Sequence, residues 1–163
     1  MKFVLFRHAH KGVQPFDDPE LSLPGFEQAA KLVELVNQNA LPIPTKLLVS
    51  PRRRTSQTFY PLSRNFSVPL EINNNLDQSA SDENGADFKK RIENFLKGLS
   101  AVTDSRAVVF ACTHYDWIEY AMPLINCDSD LNSFEFSHWS PTQFIEFDVA
   151  PGVWKFVRKG SAK

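Results

Sequence analysis

Three short segments of the chain, Lys2–Phe6, Lys46–Val49 and Ala107–Cys112, carry continuous rather than alternating apolar residues. Strands of that kind are covered on both faces, as in a parallel sheet flanked by helices. Between them the apolar positions recur with helical spacing. Phe26, Ala29, Ala30, Val33 and Val36 form one such stripe, behind Ser22 as N-cap and Pro24 in the first turn. A second helix is expected to start at Ser50-Pro51, with the serine as cap and proline at the first helical position, where its missing N–H costs nothing. Phe88, Ile92, Phe95, Leu96 and Leu99 mark a third, and a fourth is expected from about Asp116 to Ile125 despite Pro123. The C-terminal pattern differs. Thr142–Phe147 alternates, Ala150-Pro151-Gly152 is a turn signal, and Val153–Val157 follows, which predicts a hairpin closing one side of the sheet. Pro69–Ile72 is a short extended segment, and the polar, turn-rich Asn73–Asp87 reads as an exposed loop. Strand–helix alternation predicts an α/β fold: a three-layer sandwich with a mostly parallel central sheet and helices on both faces.

Composition narrows the class without changing that picture. The chain has 163 residues, 42% of them apolar and 23% charged, which excludes wholesale disorder and suits one domain over residues 1–163. Eighteen basic residues face nineteen acidic ones, so no global field draws the protein to nucleic acid or membrane. No apolar run approaches the ~20 residues of a membrane span. Arg7 and His8 interrupt the N-terminal apolar run too early for a signal peptide. Cys112 and Cys127 make no disulfide framework. The expectation is a soluble cytoplasmic protein.

Candidate chemistry gathers at the strand ends. Ligands of open α/β sheets bind beyond the carboxyl ends of the strands. The first strand runs into Arg7-His8-Ala9-His10, the second into Ser50-Pro51-Arg52-Arg53-Arg54, and the third into Thr113-His114. Arginines presented beside a helix start favour an anion, most simply a phosphate. A histidine beside bound phosphate can act as nucleophile or proton carrier. Successive helical residues turn by ~100°, so only one or two of Arg52, Arg53 and Arg54 can face the crevice. Taken singly, each of these residues reads as ordinary loop or surface; three together at three strand ends do not. His10 and His138 read as structural or surface. His8 and His10 have a metal-ligand spacing, but no set of carboxylates and histidines completes a site, so no metal and no other cofactor is expected. Cys112 ends a buried strand and reads as inert core, and Trp117, Trp139 and Trp154 read as packing.

Charge is uneven locally. Thr45–Arg64 holds five basic residues and no acid, whereas Glu71–Asp87 holds five acids and no base. The basic run on its own would also suit an RNA-binding surface. The acidic segment is either a solvated loop or the source of a general acid.

These residues resemble those of a known family. Phe6-Arg7-His8-Ala9 resembles the Arg-His-Gly motif of the histidine phosphatase superfamily, also called phosphoglycerate mutase-like. Leu21–Ala29, Ser50–Thr58 and Thr113-His114 resemble its three further motifs, in the right order over most of the first 120 residues. The resemblance implies the phosphoglycerate mutase-like fold and a phosphatase that needs no metal. It makes His8 the nucleophile, which becomes a phosphohistidine. Arg7, Arg54 and His114 then bind the phosphoryl oxygens, with Thr113 beside them. It also selects Arg54 among the three arginines. Two positions depart from the family pattern. Ala9 replaces the usual glycine, and the general acid is open between Asp77, Glu83 and no residue at all, with Gln78 standing where relatives carry glutamate. Asp77 is the first candidate. A phosphohistidine substrate leaves as imidazole and needs less acid help than an alkoxide. The expected substrate is therefore a phosphorylated small molecule or a phosphoprotein, with the small phosphohistidine phosphatases as the nearest subgroup. A non-catalytic phosphate- or partner-binding module on the same fold is the alternative. Specificity is expected from Gln14–Asp18, Asn73–Asp87 and Asp128–Trp139.

Overall fold

The protein is described here over all residues 1–163 by a computed structural model. Its strands are β1 (Lys2–Arg7), β2 (Lys46–Val49), β3 (Leu70–Ile72), β4 (Val108–Thr113), β5 (Gln143–Asp148) and β6 (Lys155–Ser161). They form one sheet in the order β3-β2-β4-β1-β5-β6. β3, β2, β4 and β1 are mutually parallel, while β5 and β6 are antiparallel to their neighbours. The helices are α1 (Leu23–Asn37), α2 (Arg53–Phe66), α3 (Gly85–Ser100) and α4 (Tyr115–Ala121). No helix is long and apolar enough to cross a membrane.

β1 shows why the central strands are apolar at every position. Side chains alternate across a strand, so each face needs its own apolar set. Phe3 and Leu5 enter one core with Phe95 of α3 and Trp117 of α4. Val4 and Phe6 enter another with Leu32 of α1 and Phe59 of α2. The same division holds in β4, where Val109 and Ala111 serve the first core and Phe110 and Cys112 the second. Cys112 is fully buried, and burial pushes its thiol far above the ordinary range, so it is inert core. Trp117, Trp139 and Trp154 are likewise packing residues.

Ser22 caps α1 as expected, its side chain accepting from the Gly25 N–H. The start of α2 differs from expectation. The helix begins at Arg53, not Pro51, and Ser50 does not cap it. Pro51 and Arg52 remain outside the helix, and the Ser50 hydroxyl is engaged with His114 and Thr55. The Asp18 carboxylate takes the cap's place and accepts from the Arg53 N–H at 3.2 and 3.3 Å. α4 ends early, at Ala121, and gives way to a 3-10 turn over Met122–Leu124 that contains Pro123. The hairpin is present at the sheet edge, but β6 starts at Lys155 and runs to Ser161, later and longer than the pattern suggested. Pro69–Ile72 is a strand from Leu70 onward, paired in parallel with β2.

One glycine decides how α1 sits. A Cβ built on Gly25 would lie 2.0 Å from the carbonyl oxygen of His10. The first turn of α1 is thus pressed against the segment that carries His8. Gly25→Ala must push backbone apart there, and we expect it to lose about 1–3 kcal/mol in urea denaturation. A variant as stable as the parent would mean that the contact is slack.

Candidate active site

Parallel pairing brings the two candidate histidines together. Arg7 of β1 is in register with Thr113 of β4. The next residue on each strand is therefore a neighbour of the other, and the His8 N–H donates to the Thr113 carbonyl at 3.0 Å. The rings of His8 and His114 lie 5.3 Å apart, centroid to centroid. β2 lies on the other side of β4, so its end adds Ser50 and then Arg54 on the first turn of α2.

The hydrogen bonds set the protons. His8 Nδ1 lies 2.7 Å from the Ala9 carbonyl, an acceptor only, so Nδ1 carries the hydrogen. Nε2 then carries a lone pair, which accepts from Arg54 Nε at 3.3 Å. Burial pushes His8 down to about 3, helped by the positive charge of Arg54, Arg7 and Lys11, so the ring is neutral at ordinary pH. Burial likewise holds His114 well below the usual 6.5, with Arg54 the next cause.

Of the three adjacent arginines, Arg54 alone is buried, and it touches His8, His114 and Gln78. Arg52 turns to Asp77 and Arg53 to Glu20. The basic run is therefore largely paired, which leaves little for an RNA-binding surface. Arg7 reaches the Trp139 carbonyl through Nη1 and lies under the Tyr115 ring, while its buried Nε has no protein partner. The nearest carboxylate to Arg54 is Asp18, at 3.8 Å. Arg54 thus bonds His8 Nε2 directly and Arg7 lines the same cleft, both among mainly neutral partners. Charge buried in this way is stabilised by an anion. The adjoining cleft of about 500 Å³ is lined by Arg7, His8, Lys11, Val13 and Phe16 among others. A separate groove of about 420 Å³ between α3 and the 152–154 turn shares no residue with it.

Two expected site residues are placed otherwise. Thr113 does not face the cleft. It is fully buried on the α3–α4 side of β4, the face of Val109 and Ala111, and its hydroxyl donates to the Leu76 carbonyl at 2.6 Å. Asp77 is gripped by Arg52 through both carboxylate oxygens, at 2.8 and 3.2 Å, with Oδ1 also 3.8 Å from His114 Nε2. It therefore lies behind His114, on the Nε2 side of that ring. Glu83 is taken by Arg91, whose hydrogen bonds hold its carboxyl below the usual range. The residue that reaches Arg54 is Gln78, through Oε1.

The 73–84 segment is more than a solvated loop. It contains a 3-10 turn over Asn74–Leu76, with Leu76 buried. Arg91 of α3 donates to the carbonyls of Asn74, Asn75, Asp77 and Gln78. An arginine on a helix face gives no local hint of this, because all its partners are distant in sequence. His10 faces outward and bonds Ser22 Oγ at 2.7 Å, and His138 is exposed beside Phe134. No group of three or more His, Cys, Asp or Glu residues is arranged to hold a metal ion.

A mostly parallel α/β sandwich with two histidines and two arginines converging at its strand ends defines an anion site of a particular kind. The family model for the histidine phosphatase superfamily (branch 1) matches residues 4–80. The same fold extends over the whole chain. The SixA protein histidine phosphatase, solved with tungstate, aligns at TM-score 0.74 and 15% identity over 99% of this chain and 97% of its own. A candidate phosphohistidine phosphatase SixA from Agrobacterium tumefaciens aligns at TM-score 0.73 and 18% identity over 98% and 97%. A candidate alpha-ribazole-5'-P phosphatase from Escherichia coli aligns at TM-score 0.79 and 15% identity over 99% and 97%. No curated protein matches the sequence. Over residues 4–80 the chain is thus similar to the histidine phosphatase superfamily, and its fold is phosphoglycerate mutase-like.

Proposed function

We propose that the protein is a phosphatase that works through a phosphohistidine at His8. The observation that carries this reading is the Nε2 lone pair of a neutral His8, directed at the buried Arg54 guanidinium in a cleft that Arg7 also lines. In the reaction Nε2 attacks phosphorus, and the bond from phosphorus to the leaving group breaks. Arg7, Arg54 and His114 hold the three phosphoryl oxygens and take up the charge that grows on them. The Arg7 Nε that lacks a protein partner is one donor for this purpose. Water then cleaves the phosphohistidine and releases phosphate. The chemistry asks nothing of a metal.

The leaving group departs without a dedicated acid. The three nearby candidates are accounted for: Asp77 by Arg52, Glu83 by Arg91, and the position beside Arg54 by Gln78, an amide. This favours substrates whose leaving group is stable unassisted. A protein phosphohistidine is one, and an aryl phosphate is another. The neighbour named as a protein histidine phosphatase agrees with the first.

The test is to incubate the protein with a phosphohistidine protein carrying labelled phosphoryl and quench in base. An acid-labile, base-stable label on this chain supports the reading. Binding without transfer favours a phosphate-binding module instead. The lack of an acid has its own consequence. Gln78→Glu is expected to raise turnover of an alkyl phosphate about tenfold or more, within the usual range for general acid catalysis, and to leave aryl phosphate turnover nearly unchanged. Equal effects on both substrates would place the acid elsewhere.

A further inference from the structure

The buried Ser50 has no part in the reading above, yet its hydroxyl sits 2.8 Å from His114 Nε2. The protons around it can be assigned in turn. Arg54 Nη2 is a permanent donor, and it lies 3.0 Å from His114 Nδ1, so Nδ1 must accept. The single ring hydrogen is then on Nε2 and donates to Ser50 Oγ. Ser50 Oγ also accepts the Arg52 N–H at 3.2 Å. Its own hydrogen is left for Thr55 Oγ1, 3.0 Å away, which in turn donates to the backbone carbonyl of Ser50 or Arg52. The carboxylate oxygen of Asp77, 3.8 Å from Nε2, favours the same arrangement.

The consequence appears when an oxyanion enters. Arg54 turns its N–H groups to the anion, and His114 Nδ1 is left as a bare lone pair facing an oxygen that also has only lone pairs. Two acceptors repel unless a proton comes between them. We infer that Ser50 is a positioning residue that keeps the hydrogen of His114 on Nε2, so that occupation of the site by a phosphoryl dianion draws one proton from water onto His114 Nδ1. The imidazole becomes imidazolium on binding and gives the proton back when phosphate leaves.

The groups facing the ring support this. On the approach side are Arg54 from the start of α2, Arg7 at the end of β1 and His8 just after it, while Arg52 lies with Asp77 on the Nε2 side. Burial first, and these charges after it, keep the empty site's ring neutral. Asp77 stands on the opposite side, and Asp116 follows on α4. A bound dianion reverses the sign of the field on the approach side, and Asp77 then stabilises the imidazolium from behind. The inference rests on the phosphatase reading only in requiring that an oxyanion occupy the site.

Tungstate serves as probe because it remains a dianion, without a proton of its own to lose, between pH 7 and 8.5. Its Kd is measured for the intact chain across that range, with calorimetry at pH 8 in two buffers of different ionisation enthalpy. Uptake of one proton requires Kd to rise tenfold per pH unit, and the buffers to report one proton per anion. His8→Ala keeps this slope. His114→Gln binds more weakly and loses it. In Ser50→Ala the slope falls, and with tungstate bound the ring nitrogen resonances of His114 report a neutral ring with its hydrogen on Nδ1 rather than an imidazolium. A wild-type Kd that does not change with pH overturns the inference. So does a slope that survives His114→Gln, or one that vanishes in His8→Ala. In each of these cases tungstate still binds and the phosphatase reading stands. Failure of tungstate to bind at all overturns both.

Discussion

His8→Ala is expected to lower phosphate release from an aryl phosphate by at least about 10⁴-fold, with KM changed far less than kcat. Loss of a nucleophile removes the covalent route, and what survives is positioning and charge stabilisation alone. Arg54 loses its bond to His8 Nε2 in the variant, but the oxyanion groups keep other anchors. Arg7 is anchored to the Trp139 carbonyl, and Arg54 keeps His114 and Gln78. The variant should therefore fold and still bind an oxyanion. Steady-state kinetics and phosphoenzyme trapping decide the matter together. Retained turnover with label on another residue would move the nucleophile away from His8. Retained turnover without any label would mean direct attack by water.

The second large effect is on stability, and its sign follows from the two buried histidines. His8 is pushed to about 3 in the folded protein, against about 6.5 in the unfolded chain. A group lowered on folding contributes its full stability above the unfolded value and loses it as the pH falls toward the folded one. Between pH 7 and pH 5 the unfolded state binds a proton that the folded state refuses. His8 alone then removes about 2 kcal/mol, since each full pH unit of that difference is worth about 1.36 kcal/mol. His114 is shifted in the same direction by the same main cause, burial, and adds to the loss. Urea denaturation of the parent at pH 7 and pH 5 should show this loss. His8→Gln and His114→Gln should each flatten the dependence. Identical pH slopes in parent and variants would mean that neither histidine is held neutral. Because a bound dianion restores a reason for positive charge, tungstate is expected to protect the protein most strongly at the acid end of the range.

The comparison between sequence and structure separates two kinds of information. Apolar continuity in β1, β2 and β4 identified a sheet covered on both faces, since only such a strand needs apolar residues at every position. Its parallel character then placed Arg7, His8, Arg54 and His114 on one edge. The stripe of α1 and its Ser22 cap were equally legible, because capping is a local hydrogen bond spanning three residues. Ser50 misled for the same reason. It has the local signature of a cap before a proline, but its hydroxyl is bound to a histidine sixty-four positions away. The surroundings of the candidate acids were hidden for the same reason. Composition presented Asp77 and Glu83 as free acids, whereas packing supplied Arg52 and Arg91 to occupy them.

What the order of residues determined by itself was the class of fold and the kind of group waiting at each strand end. Those depend on period, on short-range caps and on the direction of the strands. Only the tertiary structure decided which arginine is buried, which nitrogen of each histidine carries hydrogen, and which carboxylates are spent on partners. Those outcomes depend on bonds between residues far apart in the chain, whose geometry exists only after the two cores have closed around the sheet.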